Sequence, residues 1–200
     1  MNKLLLIDGS SLLHRAFYAL PLLANGQGQY TNGVHGFMMM LNRLLKEQQP
    51  DHIVVCFDKS RVSFRTQLFA AYKASRKETP AELKGQFELL KEVLTAADIE
   101  WREQDNYEAD DLLGTLADLG QKEGFAVRIF SGDKDILQLV NDDVTVFMTH
   151  RGISDIEAWD ETAFRQKYGV PPLRLTDIKG LMGDSSDNIP GVPGVGEKTA

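Results

Sequence analysis

The sequence predicts an α/β fold in which a mainly parallel central sheet is flanked by helices, giving three layers. Two observations lead to this prediction. Short apolar runs rich in β-branched residues recur along the chain, and helical patterns separate them. Strands that are buried on both faces and alternate with helices are typical of parallel sheets covered on each side.

Four apolar runs are predicted as strands, at residues 4–7, 53–57, 125–130 and 144–148. The first two runs are wholly apolar, and Arg128 is the one polar residue of the third. Short runs without polar alternation suit strands that lie between two layers of helices.

Helical patterns occupy residues 34–48, 80–97 and 110–122. Pro80 lies near the first turn of the second pattern, and Gly124 follows the third. Proline near the start of a helix and glycine just past its end are common placements. The order of strands and helices therefore predicts parallel neighbours in the sheet.

The residue composition and the predicted elements change after the pair Pro171-Pro172. A short helix is predicted over residues 173–182, and a glycine-rich stretch follows over 189–196. We therefore predict an α/β unit over residues 1–172 and a smaller helical unit over residues 173–200.

Composition excludes several classes of protein. Of the 200 residues, 42% are hydrophobic, which is enough for a sizeable core and argues against intrinsic disorder. The one cysteine, Cys56, lies in an apolar run, so a buried hydrophobe is its favoured role and no disulfide framework is possible. The apolar runs are too short to span a membrane. We expect no membrane partner and a location in the reducing cytoplasm.

The net charge of −7 argues against a nucleic-acid partner, but its distribution changes that conclusion. We call residues 59–79 the basic segment, because six bases and no acid lie between Lys59 and Lys77. The pairs Phe64-Arg65 and Tyr72-Lys73 suggest a basic helix that holds phosphates and stacks a base. A solvated helix face is the alternative. Because no acid accompanies these cations, we expect the segment to be mobile without a ligand.

Carboxylates gather where the predicted strands end. Asp8, Asp58 and Asp133 each lie at or just after the end of an apolar run. Parallel strands end at one edge of a sheet, where ligands bind, although a single Asp after a strand is more often a helix cap. Neighbouring acids enlarge the group to nine candidates for one edge: Asp8, Asp58, Glu108, Asp110, Asp111, Asp133, Asp135, Asp184 and Asp187.

So many carboxylates at one edge predict a site for cations. Close anions either raise one another's pKa values or bind cations, and oxygen ligands suit Mg²⁺ or Mn²⁺. Two such ions about 4 Å apart are the arrangement for in-line hydrolysis of phosphodiesters. Scattered surface charge is the alternative. A haloacid-dehalogenase-type phosphatase also begins with a strand and Asp, but it needs a second Asp where Ser10 stands.

The glycine-rich stretch predicts a tight turn between two helices. Glycines such as Gly191, Gly194 and Gly196 let the backbone approach a ligand, and successive N–H groups would hold a phosphate. A plain interhelical turn is the alternative.

Five motifs together resemble the flap endonuclease family, in particular the 5′-nuclease (PIN-like) domains of bacterial DNA polymerase I type. The match extends over essentially the whole chain. Its motifs are LIDGSS at residues 6–11, FR at 64–65 with YKASR at 72–76, EADD at 108–111, SGDKD at 131–135, and MGDSSDNIPGVPGVGEKT at 182–199.

The resemblance implies a structure-specific nuclease that removes 5′ flaps and RNA primers by two-metal-ion catalysis with Mg²⁺ or Mn²⁺. It assigns a first metal site to Asp8, Glu108, Asp110, Asp111 and Asp133, and a second to Asp135, Asp184 and Asp187, with Asp58 close to both. Asp8, Asp133, Lys73 and Arg76 would be catalytic.

The resemblance also implies that the basic segment is a helical arch and that residues 173–200 begin a helix-hairpin-helix cut short at Ala200. The expected partners are DNA with a 5′ end or flap, RNA primers on DNA and, in a longer chain, a polymerase domain, all at the bacterial nucleoid. A stand-alone exonuclease of the family and a non-catalytic DNA-binding module are the alternatives. The predicted DNA-binding residues are Arg15, Arg61, Arg65, Tyr72, Lys73, Arg76, Lys77, Gly191, Gly194, Gly196 and Lys198.

Overall fold

A six-stranded sheet forms the centre of the computed structural model, which describes residues 1–149 and 155–200. The spatial order is β3-β2-β1-β4-β5-β6; the first five strands run parallel, and β6 is antiparallel to β5. The strands are β1 (Lys3–Asp8), β2 (His52–Cys56), β3 (Glu100–Arg102), β4 (Ala126–Ser131), β5 (Val144–Thr149) and β6 (Ile156–Trp159).

Seven α-helices accompany the sheet in the described part of the chain. Two short 3-10 helices, Lys134–Leu139 and Pro172–Arg174, lie between them. The α-helices are α1 (Gly9–Ala19), α2 (Asn32–Gln48), α3 (Phe64–Leu68), α4 (Ala81–Ala96), α5 (Ala109–Lys122), α6 (Glu161–Tyr168) and α7 (Leu175–Met182).

Alternate residues of β1 enter two separate cores, which confirms the predicted three layers. Leu5 and Ile7 are fully buried in a cluster with residues of α1, α2 and α4. Leu6 is fully buried in a second cluster with residues of α5, α6 and α7. Since strand side chains alternate between faces, the sheet lies between two layers of helices.

The four predicted strands and the three long predicted helices are all present, with ends shifted by a few residues. Sequence reasoning did not predict α1, α6, β3 or β6. The two strands are short edge strands with polar residues, so neither leaves an apolar run in the sequence. Cys56 is buried as predicted, and burial raises the pKa of its thiol to about 12.

The predicted helix across the basic segment is wrong over most of its length. Helix is confined to α3, and residues 70–75 form turns. Lys73 takes a left-handed φ of 54°, which a regular helix cannot contain. The prediction that these cations lack acidic partners is also wrong, because Arg65, Lys73 and Arg76 each pair with a carboxylate from a distant part of the chain.

The helix-hairpin-helix is not confirmed. Its predicted first helix is present as α7, but residues 197–200 form a single turn in which the N–H groups of Thr199 and Ala200 both donate to the Gly196 carbonyl. Leu175 of α7 packs in the same apolar cluster as the sheet. Among the helices of residues 1–149 and 155–200, none has the length and apolar character needed to cross a membrane.

Candidate active site

The carboxyl edge of the sheet brings five of the nine predicted carboxylates around one cavity of about 390 Å³. Strand β1 pairs with both β2 and β4, so the residues that end these three strands are neighbours. The first turn of α5 completes the group. The carboxylates that line the cavity are Asp8, Asp58, Glu108, Asp110 and Asp133.

Asp8 is both a helix cap and a buried acid. Its side chain is 3% exposed; one oxygen accepts from the Ser11 N–H at 2.9 Å and the other from the Ser131 hydroxyl at 2.6 Å. Burial raises the pKa of Asp8 to about 7, and the nearby charges of Asp58 and Asp133 act in the same direction. Capping α1 therefore does not balance the negative charge of an ionised Asp8.

Asp110 shares this environment. Burial raises the pKa of its carboxyl, as do the charges of Asp8, Asp133 and Asp58 around it. No ion pair within the described residues includes Asp8 or Asp110. Buried carboxylates that face one another without an ion pair of their own are the condition that a bound metal ion relieves.

Glu108 lies at the rim of the cavity with a full set of hydrogen-bond donors. One oxygen accepts from the Ser63 hydroxyl at 2.9 Å; the other accepts from Tyr72 at 3.1 Å and from Lys73 Nζ at 2.7 Å. Burial raises the pKa of Glu108, but the bond and charge of Lys73, the Ser63 bond and the charge of Arg65 together lower it by more. Glu108 is therefore an anion with its own counter-ion.

Asp111 was predicted in the first metal site, but the structure does not bring it to the cavity. Its carboxylate forms a bidentate ion pair with Arg65, at 2.7 Å to each of the two terminal guanidinium nitrogens. It also accepts from the Glu108 N–H at 3.0 Å. Burial raises the pKa of Asp111. The hydrogen bonds from Arg65 and the Glu108 N–H, together with the charge of Arg65, lower it by more, so the pKa lies below its usual value. Asp111 caps α5 and anchors the basic segment.

The remaining three carboxylates form a second cluster. Asp135, Asp184 and Asp187 each offer an oxygen within 4.8 Å of the others. Lys179 pairs with Asp135 and Asp184, and Arg76 pairs with Asp187 at 2.5 Å. Asp133 lines the cavities beside both clusters, so the two groups adjoin.

The loop over residues 184–189 shapes the second cluster. Asp184 and Ile189 exchange backbone hydrogen bonds of 2.9 and 2.8 Å, and the Asp184 carboxylate accepts from the Ser186 N–H and hydroxyl. Burial raises the pKa of Asp184, but bonds from Lys179 and Ser186 lower it by more. Burial also raises the pKa of Asp135, and the bond from Lys179 does not offset it.

The predicted DNA-binding residues lie around this edge in different settings. Arg61 and Lys77 contact each other, since the Arg61 guanidinium donates to the Lys77 carbonyl at 2.6 Å, and both line a cavity beside the carboxylates. Arg15 of α1 lies against Gly132, next to Asp133. Lys198 is exposed.

The three glycines of the predicted hairpin have different structural surroundings. A Cβ on Gly191 would lie 2.3 Å from the Met182 carbonyl carbon, so Gly191 permits close packing against the end of α7. Gly194 has a φ of 83°, and Gly196 is exposed with open space around it. The structure thus explains Gly191 by packing, whereas phosphate binding by these glycines stays a prediction.

Sequence reasoning missed several polar residues that support the carboxylates. Ser131 is fully buried; its hydroxyl donates to Asp8 and accepts from the Asp133 N–H at 2.9 Å. The Ser10 hydroxyl accepts from the Asp58 N–H at 2.9 Å. A serine that ends an apolar strand two residues before a candidate acid was the available signal for Ser131.

The donors at this edge fit divalent cations. They are carboxylate oxygens, which suit hard ions such as Mg²⁺; His14 also lines the first cavity, and the second cluster consists of carboxylates. Asp8, Asp58, Asp110 and Asp133 are the residues that would hold an ion in the first cavity, and Asp135, Asp184 and Asp187 those that would hold one in the second cluster.

Two family profiles match consecutive parts of the chain. The "5′-3′ exonuclease, N-terminal resolvase-like domain" matches residues 3–169, and the "5′-3′ exonuclease, C-terminal SAM fold" matches residues 170–200. The chain is 55% identical over 199 residues to DNA polymerase I of Bacillus caldotenax and 52% identical to that of Bacillus subtilis. Each alignment covers 100% of this chain and 23% of the relative, so the chain spans about a quarter of the length of these curated relatives.

The fold also matches solved structures. A bacteriophage T5 flap endonuclease, in a complex with DNA and metal ions, superposes with a TM-score of 0.79 at 23% identity, over 98% of this chain and 72% of that one. This likeness shows the shared α/β architecture. The family profiles cover the chain from residue 3 to its last residue, and on that ground the chain belongs to the 5′-3′ exonuclease family.

Proposed function

We propose that this chain is a structure-specific 5′-nuclease that hydrolyses phosphodiesters at 5′ ends and flaps of DNA and in RNA primers. The observation that carries the proposal is the pair of buried carboxyls, Asp8 and Asp110, which face further acids without a cationic partner in the described residues. A protein stabilised only for binding DNA would gain nothing from this repulsion, because DNA is itself an anion.

Mg²⁺ is the proposed cofactor, with Mn²⁺ able to replace it, and two ions fit the two adjoining clusters. When bound, such ions supply an activated water and neutralise charge on the scissile phosphate. Residues of this chain orient the carboxylates that would hold the ions. Ser131 and the Ser11 N–H donate to the Asp8 carboxylate, and the Ala109 N–H donates to the Asp58 carboxylate at 2.8 Å.

Cations of the basic segment would bind the anionic substrate. Lys73 and Arg76 line the cavity with the carboxylates, and each would neutralise charge that develops on the phosphate. Tyr72 is buried with its hydroxyl bonded to Glu108, so it would stack a base only after the basic segment moves, and Arg61 and Lys77 would extend the positive surface along the nucleic-acid strand. Arg15 and Lys198 would add phosphate contacts outside the cavity.

We further propose that the chain is part of a longer bacterial protein that carries a polymerase and acts in the cytoplasm at the nucleoid. The identity to bacterial DNA polymerase I chains supports this. Within the chain, residues 1–172 would be the nuclease unit, and residues 173–200 would begin a duplex-binding unit. The two profiles, which meet between residues 169 and 170, support that division.

A matched pair of variants on α5 tests the proposal. Asp110→Asn removes a charge from the cavity, whereas Asp118→Asn removes one from the exposed face, where Asp118 pairs with Lys122. On a 5′-flap substrate with Mg²⁺, we expect Asp110→Asn to abolish cleavage and Asp118→Asn to cut like the wild type. Cleavage by the wild type in excess EDTA, or by Asp110→Asn at the wild-type rate, would refute the proposal. Tight flap binding without cleavage by the wild type would instead favour a non-catalytic DNA-binding module.

A further inference from the structure

The basic segment is fastened to the loop over residues 184–189 by contacts that the proposed reaction does not require. The Lys73 N–H donates to the Asp187 carbonyl at 2.9 Å, and the Asn188 side-chain amide donates to the Ala71 carbonyl at 2.8 Å. Arg76 adds its ion pair with Asp187 and a longer bond of 3.4 Å to the Ser186 carbonyl. These contacts join the segment to the second carboxylate cluster.

Lys73 is strained in this arrangement. Its φ of 54° is a left-handed conformation, which is unfavourable for a residue with a side chain. Such strain persists only where the surroundings over-determine it. Here the backbone N–H binds Asp187 and the side-chain ammonium binds Glu108, so carboxylate-bearing residues hold Lys73 from two directions.

Lys73 and Arg76 place positive charge beside the two groups of carboxylates. Lys73 and Arg76 neutralise Glu108 and Asp187, one carboxylate from each group. A divalent ion bound by Asp187, or held beside Glu108 by the other carboxylates of the cavity, would take over that role, and its charge would repel both side chains. The ion and the basic segment therefore compete.

We propose that Lys73 and Arg76 are resident counter-ions of the metal-free site, that Asn188 positions them, and that divalent ions displace them and loosen the basic segment. The inference rests on the proposed function, since it takes the carboxylates as metal ligands. The displaced cations become free to bind the substrate phosphate. Metal loading thereby prepares the segment for the nucleic-acid strand.

Hydrogen exchange on the wild-type chain tests this without any substitution. The Lys73 amide is bonded to the Asp187 carbonyl, so it exchanges slowly while the segment is docked. We expect Mg²⁺ to speed exchange in a peptide covering residues 70–77 and leave peptides from α2 unchanged. Equal or slower exchange of residues 70–77 with saturating Mg²⁺ would overturn the inference.

Titration with Mn²⁺ in the absence of DNA supplies the reciprocal test, because displacement must act in both directions. We expect the double variant Lys73→Gln/Arg76→Gln to bind Mn²⁺ about tenfold more tightly than the wild type. Asn188→Gly, which keeps the left-handed backbone at φ 58° but deletes the amide, should also bind more tightly. Arg61→Gln is the matched control, since Arg61 binds a backbone carbonyl, and its affinity should stay within about twofold of the wild type.

The outcomes separate this inference from the proposed function. If the wild type binds Mn²⁺ but the double variant and Asn188→Gly show unchanged or weaker affinity, the counter-ion role is wrong and the nuclease assignment stands. If the wild type binds no Mn²⁺ at all, both are wrong. Circular dichroism of each variant confirms that the fold is retained before its affinity is compared.

Discussion

Replacing Asp8 with Asn should stabilise the metal-free protein at alkaline pH. Asp8 is buried among other acids, and its pKa is raised from 3.8 to about 7. Each pKa unit corresponds to about 1.36 kcal/mol, so ionising Asp8 in the folded protein costs about 4 kcal/mol. Asn removes that charge but weakens the helix cap and the bond from Ser131 by about 1 kcal/mol. The expected net gain is about 3 kcal/mol.

The pH dependence identifies the cause. A carboxyl whose folded pKa is raised favours the folded state most below its unfolded pKa, and this advantage is lost as pH rises through the folded pKa. The wild type should therefore lose stability between about pH 4 and pH 7, whereas Asp8→Asn should not lose this contribution. Near pH 8 the variant should melt roughly 6 to 12 °C higher, and near pH 4 the advantage should vanish.

The assay is thermal unfolding in EDTA, followed by circular dichroism across this pH range, with Asp118→Asn as the exposed control. Added Mg²⁺ should raise the melting temperature of the wild type more than that of Asp8→Asn, because bound ions stabilise the folded state that holds them. A variant that is less stable than the wild type near pH 8, or a difference that does not change with pH, would refute the reasoning.

Three further predictions follow from single contacts. Ser131→Ala should lose about 1 to 3 kcal/mol in urea unfolding and bind Mn²⁺ more weakly, because it removes the donor to one Asp8 oxygen and the acceptor for the Asp133 N–H; unchanged Mn²⁺ affinity would contradict a role in orienting Asp8. Gly191→Ala should cost about 1 to 3 kcal/mol, because its Cβ would meet the Met182 backbone, and Gly196→Ala, which faces open space, should be neutral; equal melting temperatures would contradict this packing. Lys73→Ala and Arg76→Ala should lower kcat more than they raise KM, whereas Arg61→Ala should chiefly weaken binding and flatten its salt dependence; equal small effects at all three positions would restore the solvated-face interpretation.

The central sheet could be predicted because strands buried on both faces leave wholly apolar runs, as residues 4–7 and 53–57 show. The edge strand β3 has the sequence Glu-Trp-Arg and leaves no such signal. The meeting of Asp8, Asp58 and Asp133 was also predictable, because parallel strands end at one edge. The order of the strands was not, since it depends on packing between distant elements.

The basic segment shows where local reasoning fails. No acid lies between Lys59 and Lys77, yet Arg76 pairs with a carboxylate 111 residues away. Asp111 lies away from the cavity for a different reason: successive helical residues point about 100° apart, so Asp110 faces the cavity while its neighbour faces Arg65. Both outcomes depend on three-dimensional neighbours that spacing alone does not reveal.

Anomalous diffraction from crystals of this chain soaked in Mn²⁺ tests the central claim most directly. We expect one peak among Asp8, Asp110 and Asp133, and a second, about 4 Å away, on the side of Asp135, Asp184 and Asp187. The Lys73 and Arg76 side chains should be withdrawn from Glu108 and Asp187 in the same crystals. Peaks confined to other surfaces, with both ion pairs intact, would contradict the assignment of this edge as a two-metal nuclease site.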